Sequence, residues 1–249
     1  MSEPLVSVVM IVRNGERFLP SAIDSVLTQD YRPLEIIVVD GQSTDSTPLI
    51  AASYPEVRLL SQAGRGVADA YNVGIEAASG ELIAFLSHDD LWTPSKVSAQ
   101  VRYLMAHPDV QYCVARVRFF LEAGCAPPHG FKPELLVGDH VGFIMETLMA
   151  RRGVFQTVGR FDPALSVAND TDWFARAKDA GVPMAVVPEV LLLKRLHGTN
   201  LTANTLVVER ELIEVIKHSF KRQRGGRGRG DGGDGPSRDA EPSGPPSGS

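Results

Sequence analysis

Two apolar runs in the first ninety residues each end in a carboxylate, and this feature limits the chain's possible folds more than any other. Leu34-Glu35-Ile36-Ile37-Val38-Val39 leads into Asp40, and Glu81-Leu82-Ile83-Ala84-Phe85-Leu86 breaks into Ser87-His88-Asp89-Asp90. Short apolar runs bounded by turn-forming residues read as buried strands. In open α/β sheets, ligands gather beyond the carboxyl ends of the strands. A carboxylate delivered there can hold a divalent cation, and the cation can hold a diphosphate. The expectation is a nucleotide diphosphate bound through a metal.

The segments between these runs support a layered α/β sheet. Leu5–Val12 is a first strand, turned by Arg13-Asn14-Gly15, and Phe18, Leu19, Ala22, Ile23, Val26 and Leu27 repeat at helical spacing. Ser43–Pro48 is rich in helix-capping residues and precedes a second helix; Val57–Leu60 is a third strand; a helix over about 67–78 returns the chain to the strand at Leu82–Leu86. Strand and helix thus alternate three times, the pattern of a parallel sheet covered by helices. Beyond Trp92, Thr93-Pro94 predicts a helix start, with Thr93 as cap and Pro94 at the first position. A strand over 110–121, a loop over 122–140, a helix near 141–150, a strand near 153–158 and a helix near 170–180 follow. Val182–Val187 and Leu191–Leu196 read as two strands and 205–220 as an amphipathic helix. From Arg222 to Ser249 no apolar residue larger than Ala occurs, so 222–249 is expected to be a disordered, solvated tail.

Charge narrows the partners. Residues 217–249 carry seven Lys/Arg and four Asp/Glu, which leaves 18 against 26, a net −8, on residues 1–216. A domain this acidic is a poor binder of nucleic acid, which needs excess cations. The basic end of the last helix (Lys217, Lys221, Arg222, Arg224) suits peripheral contact of 205–224 with an anionic membrane. Cys113 and Cys125 have no metal-ligand company and are expected to be free thiols in a reducing cytoplasm. Neither a signal peptide nor a run of ~18 apolar residues is found, so the expected location is cytoplasmic, at most attached to the inner membrane face.

Five blocks together resemble family 2 glycosyltransferases. They are Val6–Leu19, Ser25–Gln29 with Glu35–Asp45, Asn72–Ile75, Gly80–Asp90, and Phe161-Asp162 through Asn169-Asp170-Thr171-Asp172-Trp173. The resemblance spans residues 5 to about 205 and implies the GT-A fold: a mostly parallel central sheet flanked by helices. A nucleotide-sugar-binding half (1–92) would be followed by an acceptor half (93–204), in one domain ending with the helix 205–221. It also implies an inverting, hexosyltransferase-type enzyme that uses a nucleotide-diphospho-sugar and Mn or Mg. By resemblance, Asp40 hydrogen-bonds the base. Val12, Arg13, Asn14, Arg65, Asp69 and His88 contact the donor, and Arg13 stands where relatives carry an aromatic residue. Asp89 ligates the metal, and His197, in Arg195-Leu196-His197 with Asn200, approaches the metal or the phosphates. Asp170 is the implied general base. The family's acidic triplet is here Ser87-His88-Asp89, without its first acid, and Asn169 replaces the usual Glu before the base. Loss of that neighbouring charge is expected to lower the Asp170 pKa relative to the family pattern.

Two alternatives stay open at this level. One is a nucleotide-sugar binder that is inactive or needs a partner, favoured by the missing acid. The other is a nucleotidyltransferase, disfavoured because Arg13-Asn14-Gly15-Glu16-Arg17 is too short and too poor in Gly to hold a triphosphate. The acceptor is left undetermined among a glycan, a lipid-linked glycan, a small metabolite and a protein.

Overall fold

The first strand, β1 (Val6–Val12), is buried along its whole length because both its faces are covered. Val6, Val8, Met10 and Val12 pack on one side, against Leu19, Ala22, Ile23 and Val26 of helix α1 (Leu19–Leu27). Val9 and Ile11 pack on the other, with Ala68, Ala70 and Tyr71 of α3 (Gly66–Ala77). This alternation of side chains about a strand buried on both faces is the signature of a helix–sheet–helix sandwich. Computed as a structural model, the protein is described over residues 3–128, 131–198 and 205–227. Asn200 and residues 228–249 lie outside the described residues.

Strands β2 (Leu34–Asp40), β3 (Val57–Ser61) and β4 (Leu82–Ser87) complete a parallel group with β1, and α2 (Thr47–Ala52) joins β2 to β3. The sheet runs in the order β3-β2-β1-β4 and continues through Met149–Arg151, Tyr112–Leu121, Met184–Leu196 and Leu91–Trp92, with His140–Val141 paired to Tyr112–Leu121. Register matters most for function. Val12 pairs with Asp40, Ile11 with Ser87, and Asp40 with Ser61, so the carboxyl ends of all four parallel strands finish at one level.

The second half departs from the sequence reading in several places. Leu91–Trp92 is a short strand, β5, paired with Leu192 and Leu193, and the Thr93 N–H bonds to Leu191 O. That pairing holds the segment extended, so helix α4 (Lys96–Ala106) starts after Ser95 rather than at Pro94. Strand β6 is Tyr112–Leu121, and β7 (His140–Val141) straddles the boundary between the expected loop and the expected helix. The expected helix at 141–150 is instead a 3-10 turn at Met145–Thr147 and strand β8 (Met149–Arg151), which fills the gap between β4 and β6. The expected strand near 153–158 is the short helix α5 (Val154–Thr157). The helix α6 covers Asn169–Asp179. The two expected late strands are one, β9 (Met184–Leu196), whose pairing with β6 shifts register near Pro188. A proline cannot donate to the ladder, and a bulge lets the strand pass it. The last helix, α7 (Thr205–Arg227), runs six residues into the segment expected to be disordered.

Helix α7 is anchored by charge. Glu211 accepts hydrogen bonds from the N–H groups of Ser166, Val167 and Ala168, all at 2.8 Å, so its carboxylate caps the entry to α6. Burial works against the charged form, yet these bonds and the Ser166 hydroxyl hold its pKa down at about 2. At the other end, Arg222 and Ser219 bond to Asp179.

Lys96 is fully buried, with its Nζ 3.8 Å from the Trp92 ring centroid and donating to Leu148 O at 3.4 Å. Burial lowers its pKa from 10.5 to about 7. The unfolded chain therefore binds more protons between these two values, and folding stability contributed by this site rises with pH across that window. Lys96→Met should remove that slope: relative to the parent, the variant gains most at or below pH 7 and progressively less towards pH 10. Urea unfolding at several pH values checks this, and a constant offset between the two proteins would contradict it.

Candidate active site

The loops after β1 and β2 are stitched to each other. Asn14 N–H donates to Ser43 Oγ at 2.8 Å, Thr44 N–H to Asn14 Oδ1 at 2.8 Å, and Gly15 N–H to Thr47 Oγ1 at 2.8 Å. Asn14 and Gln42 adopt positive φ (50° and 62°), a conformation that costs energy in non-glycine residues and marks functional loops. Gly15 is required by close approach, since a Cβ there would sit 2.4 Å from the His88 ring. These loops, with the ends of β4, α3, α6 and β9, enclose a cavity of about 820 Å³. That is a volume suited to a cofactor-sized ligand. A smaller cavity of about 300 Å³, lined by Gln111, Val154, Thr157 and Pro183 among others, has no ionisable side chain in its wall.

Val12, Arg13, Asn14, Arg65, His88, Asp89, Asp170 and His197 all line the large cavity. The structure thus brings together eight of the ten residues singled out in the sequence. Asp40 and Asp69 sit one layer back. Asp40 is 6% exposed; its Oδ2 accepts from Ser43 N–H at 3.1 Å and its buried Oδ1 has no hydrogen-bond partner. Asp69 lies under Gly64, whose Cβ would fall 2.5 Å from the carboxylate, and its Oδ2 is also buried without a partner. Orphaned buried acceptors are rare and call for a donor.

Asp89 Oδ2 lies 3.0 Å from His197 Nε2, and the Phe18 ring packs 4.8 Å from the imidazole. Burial would raise the Asp89 pKa, but His88, Lys194 and the His197 hydrogen bond together hold it below the usual range. Asp90 is fully buried, accepts from Lys194 Nζ at 2.7 Å and from Arg195 N–H at 2.9 Å, and so pins β9 to the end of β4. Arg195 Nε closes the clasp on Asp89 O at 2.9 Å. Among the described residues, no group of three or more His, Cys, Asp or Glu is arranged to hold a metal ion. Asp89 and His197 offer two donors: the carboxylate oxygen suits Mn or Mg with further oxygens from a ligand, whereas the imidazole nitrogen suits a transition metal such as Mn rather than Mg.

Asp170 stands in the first turn of α6, half-buried at the cavity wall, where Thr171 N–H donates to its Oδ1 at 2.6 Å. Burial pushes its carboxyl up to about 6, and the charge of Glu146 adds to this. The sequence reading weighed only the loss of the neighbouring Glu, against the family pattern; it did not foresee Glu146, which supplies a negative charge from another element. Lys194 was missed as well. Burial disfavours its charge, but Asp90, Glu146 and Asp89 hold its pKa well above the ordinary lysine value. The one available signal was a charged residue inside an apolar run, in Ile144–Ala150 for Glu146 and Leu191–Leu196 for Lys194. Asn169 is buried, but Ala168 is the N-cap residue and no side-chain cap bond forms.

Similarity to known proteins agrees with this geometry. Residues 7–158 match the model of glycosyl transferase family 2. An uncharacterised glycosyltransferase of Rickettsia typhi is 32% identical over 234 residues, covering 87% of this chain and 71% of the relative. An uncharacterised protein of Mycobacterium tuberculosis is 30% identical over 233 residues, covering 86% and 65%. Among solved structures, S. aureus TarS 1–349 in complex with UDP-GlcNAc superposes with a TM-score of 0.71 at 18% identity, covering 87% of this chain and 66% of that one. The mannosyltransferase PcManGT from Pyrobaculum calidifontis, in complex with GDP-Man and Mn2+, gives 0.68 at 21% identity, covering 88% and 65%. The chain thus spans about two thirds of the length of these proteins. Its fold is the GT-A fold expected from the sequence, and the chain belongs to glycosyl transferase family 2.

Proposed function

We propose that this chain transfers a sugar from a nucleotide-diphospho-sugar to an acceptor hydroxyl with inversion at the anomeric carbon. The observation that carries this reading is the convergence of Asp89, His197 and Asp170 on one cavity at the carboxyl ends of the parallel strands. The unpartnered Oδ1 of Asp40 accepts the ring N–H of a base such as uracil, thymine or guanine. Arg13 stacks its planar guanidinium on that base, and Arg65 faces the diphosphate. Asp69 supports the glycine loop from beneath, and Val12, Asn14 and His88 shape the donor pocket. Asp89 and His197 would hold a divalent cation, which would offset charge on the leaving diphosphate. Asp170, with its carboxyl near 6, is ionised at neutral pH yet basic enough to take the acceptor proton. UDP-GlcNAc and GDP-mannose, bound by the structural neighbours, are the donors to try first.

The membrane contact foreseen for 205–224 has a defined face. Ile213, Ile216 and Phe220 are 53%, 54% and 61% exposed and follow one line of α7. Exposed Lys217, Lys221 and Arg224 run beside them, while Glu211, Val215 and Arg222 face the domain. Apolar and cationic stripes side by side match an anionic lipid surface, and α7 is assigned to that contact. No described helix is long and apolar enough to cross a membrane.

Asp170→Asn should lower turnover of UDP-GlcNAc or GDP-mannose by ~10²–10⁴-fold while donor affinity survives; equal loss of both would refute the base assignment. For the helix, the protein should pellet with vesicles containing phosphatidylserine but not with pure phosphatidylcholine. Phe220→Glu should abolish pelleting, and a parent that stays in the supernatant would contradict the assignment.

A further inference from the structure

Glu146 and Lys194 meet on the wall of the donor cavity, and the transfer scheme above uses neither. Glu146 belongs to the turn Met145–Thr147 and is only 7% exposed. Its Oε1 accepts from Ser87 Oγ at 2.5 Å and lies 3.5 Å from Lys194 Nζ. The same ammonium is 2.7 Å from Asp90 Oδ2. Trp92 Nε1 donates to the backbone oxygen of Glu146 at 3.0 Å and fixes the turn. One carboxylate therefore ties the end of β4 to the turn before β8 and to β9. Ser87 is the position at which the acidic triplet lacks its first acid, and Glu146 brings a carboxylate to that hydroxyl from 59 residues further along the chain. Ser87, Glu146, Lys194 and Asp170 line the same cavity.

A buried charge held this firmly has few ways to be screened, so it acts on its neighbours. A like charge near a carboxyl favours the protonated form, and a cation opposes it. We propose that Glu146 is a positioning residue for glycosyl transfer: clamped by Ser87 and Lys194, it presents a fixed negative charge to Asp170, and Lys194 is the counterweight. The proposal rests on Asp170 being the base. The groups around Asp170 are consistent with it. Glu146 on the turn and Lys194 on β9 line the cavity that Asp170 lines, and Thr171 bonds to Asp170 on its own helix. Tyr71 of α3 stays protonated, through burial first and then the charges of Glu146 and Asp170. From the loop after β4, Asp90 is paired with Lys194 and Asp89 with His197, and burial lowers the proton affinity of His88.

The titration of Asp170 tests this without a donor. In protein labelled with 13C at aspartate carboxyls, the signal missing from Asp170→Asn identifies the residue, and its parent midpoint should lie near pH 6. Glu146→Gln keeps an acceptor for Ser87 but removes the charge, and should lower the midpoint by about one pH unit. Lys194→Met combined with Asp90→Asn removes the ion pair as a unit and should raise the midpoint. A general loosening of the site would not move the two variants in opposite directions. A midpoint unchanged in Glu146→Gln overturns the proposal; should that variant fail to fold, the absence of an upward shift in the double variant overturns it. The two failures separate cleanly. Retained turnover in Asp170→Asn strikes the base assignment alone, and an unmoved midpoint strikes Glu146 alone.

Discussion

In-register parallel pairing of β1 with β2 and β4 is the constraint on which the rest of the molecule depends. It places Val12 opposite Asp40 and Ile11 opposite Ser87, so two separate strands deliver their acids to one edge. A slip of one residue would turn every side chain to the opposite face. Burial on both faces prevents that slip, because Val8 and Met10 belong to one core and Val9 and Ile11 to the other. Helix α3 fits closely over β1: a Cβ at Gly74 would lie 2.2 Å from Val9 Cγ1. The loops that line the cavity can therefore depart from regular geometry while their ends stay fixed.

The acidic edge needs its charges satisfied. Lys194 lies between Asp90 and Glu146 where water has little access, and Asp89 is paired with His197. Buried ion pairs of this kind contribute little net stability, since desolvation offsets most of the Coulomb gain. Their effect here is geometric. They fasten β9 to the end of β4 and the turn at 145–147, and so hold the later strands of the sheet against the first four. The same clasp leaves Asp89, His197 and Asp170 facing one space.

Much of this was legible in the sequence, for reasons that can be named. The strands of the first half are mostly apolar runs of ordinary length separated by helices, and local pattern and global fold agree there. Asp40 and Asp89 stood out because each follows such a run. The region 141–158 was misread because Phe143–Ala150 is apolar but for Glu146 and Thr147, a pattern that does not separate strand from helix. The open edges of β4 and β6 decide it, and only the assembled sheet shows them. Pro188 divided β9 in the reading, whereas the bulge near it keeps the strand whole. Glu146 and Lys194 were passed over because charges set in largely apolar segments carry no motif. Their meaning lies in a contact spanning 48 residues.

The donor site is tested most directly by calorimetric titration of UDP, GDP and dTDP into the full chain, with and without Mn²⁺, and again with Asp89→Ala. If the acidic edge holds a nucleotide diphosphate through a cation, one of the three binds in the presence of metal, and that binding vanishes in the variant. Binding of none of them, or binding that is indifferent to Asp89, would contradict the assignment of this cavity.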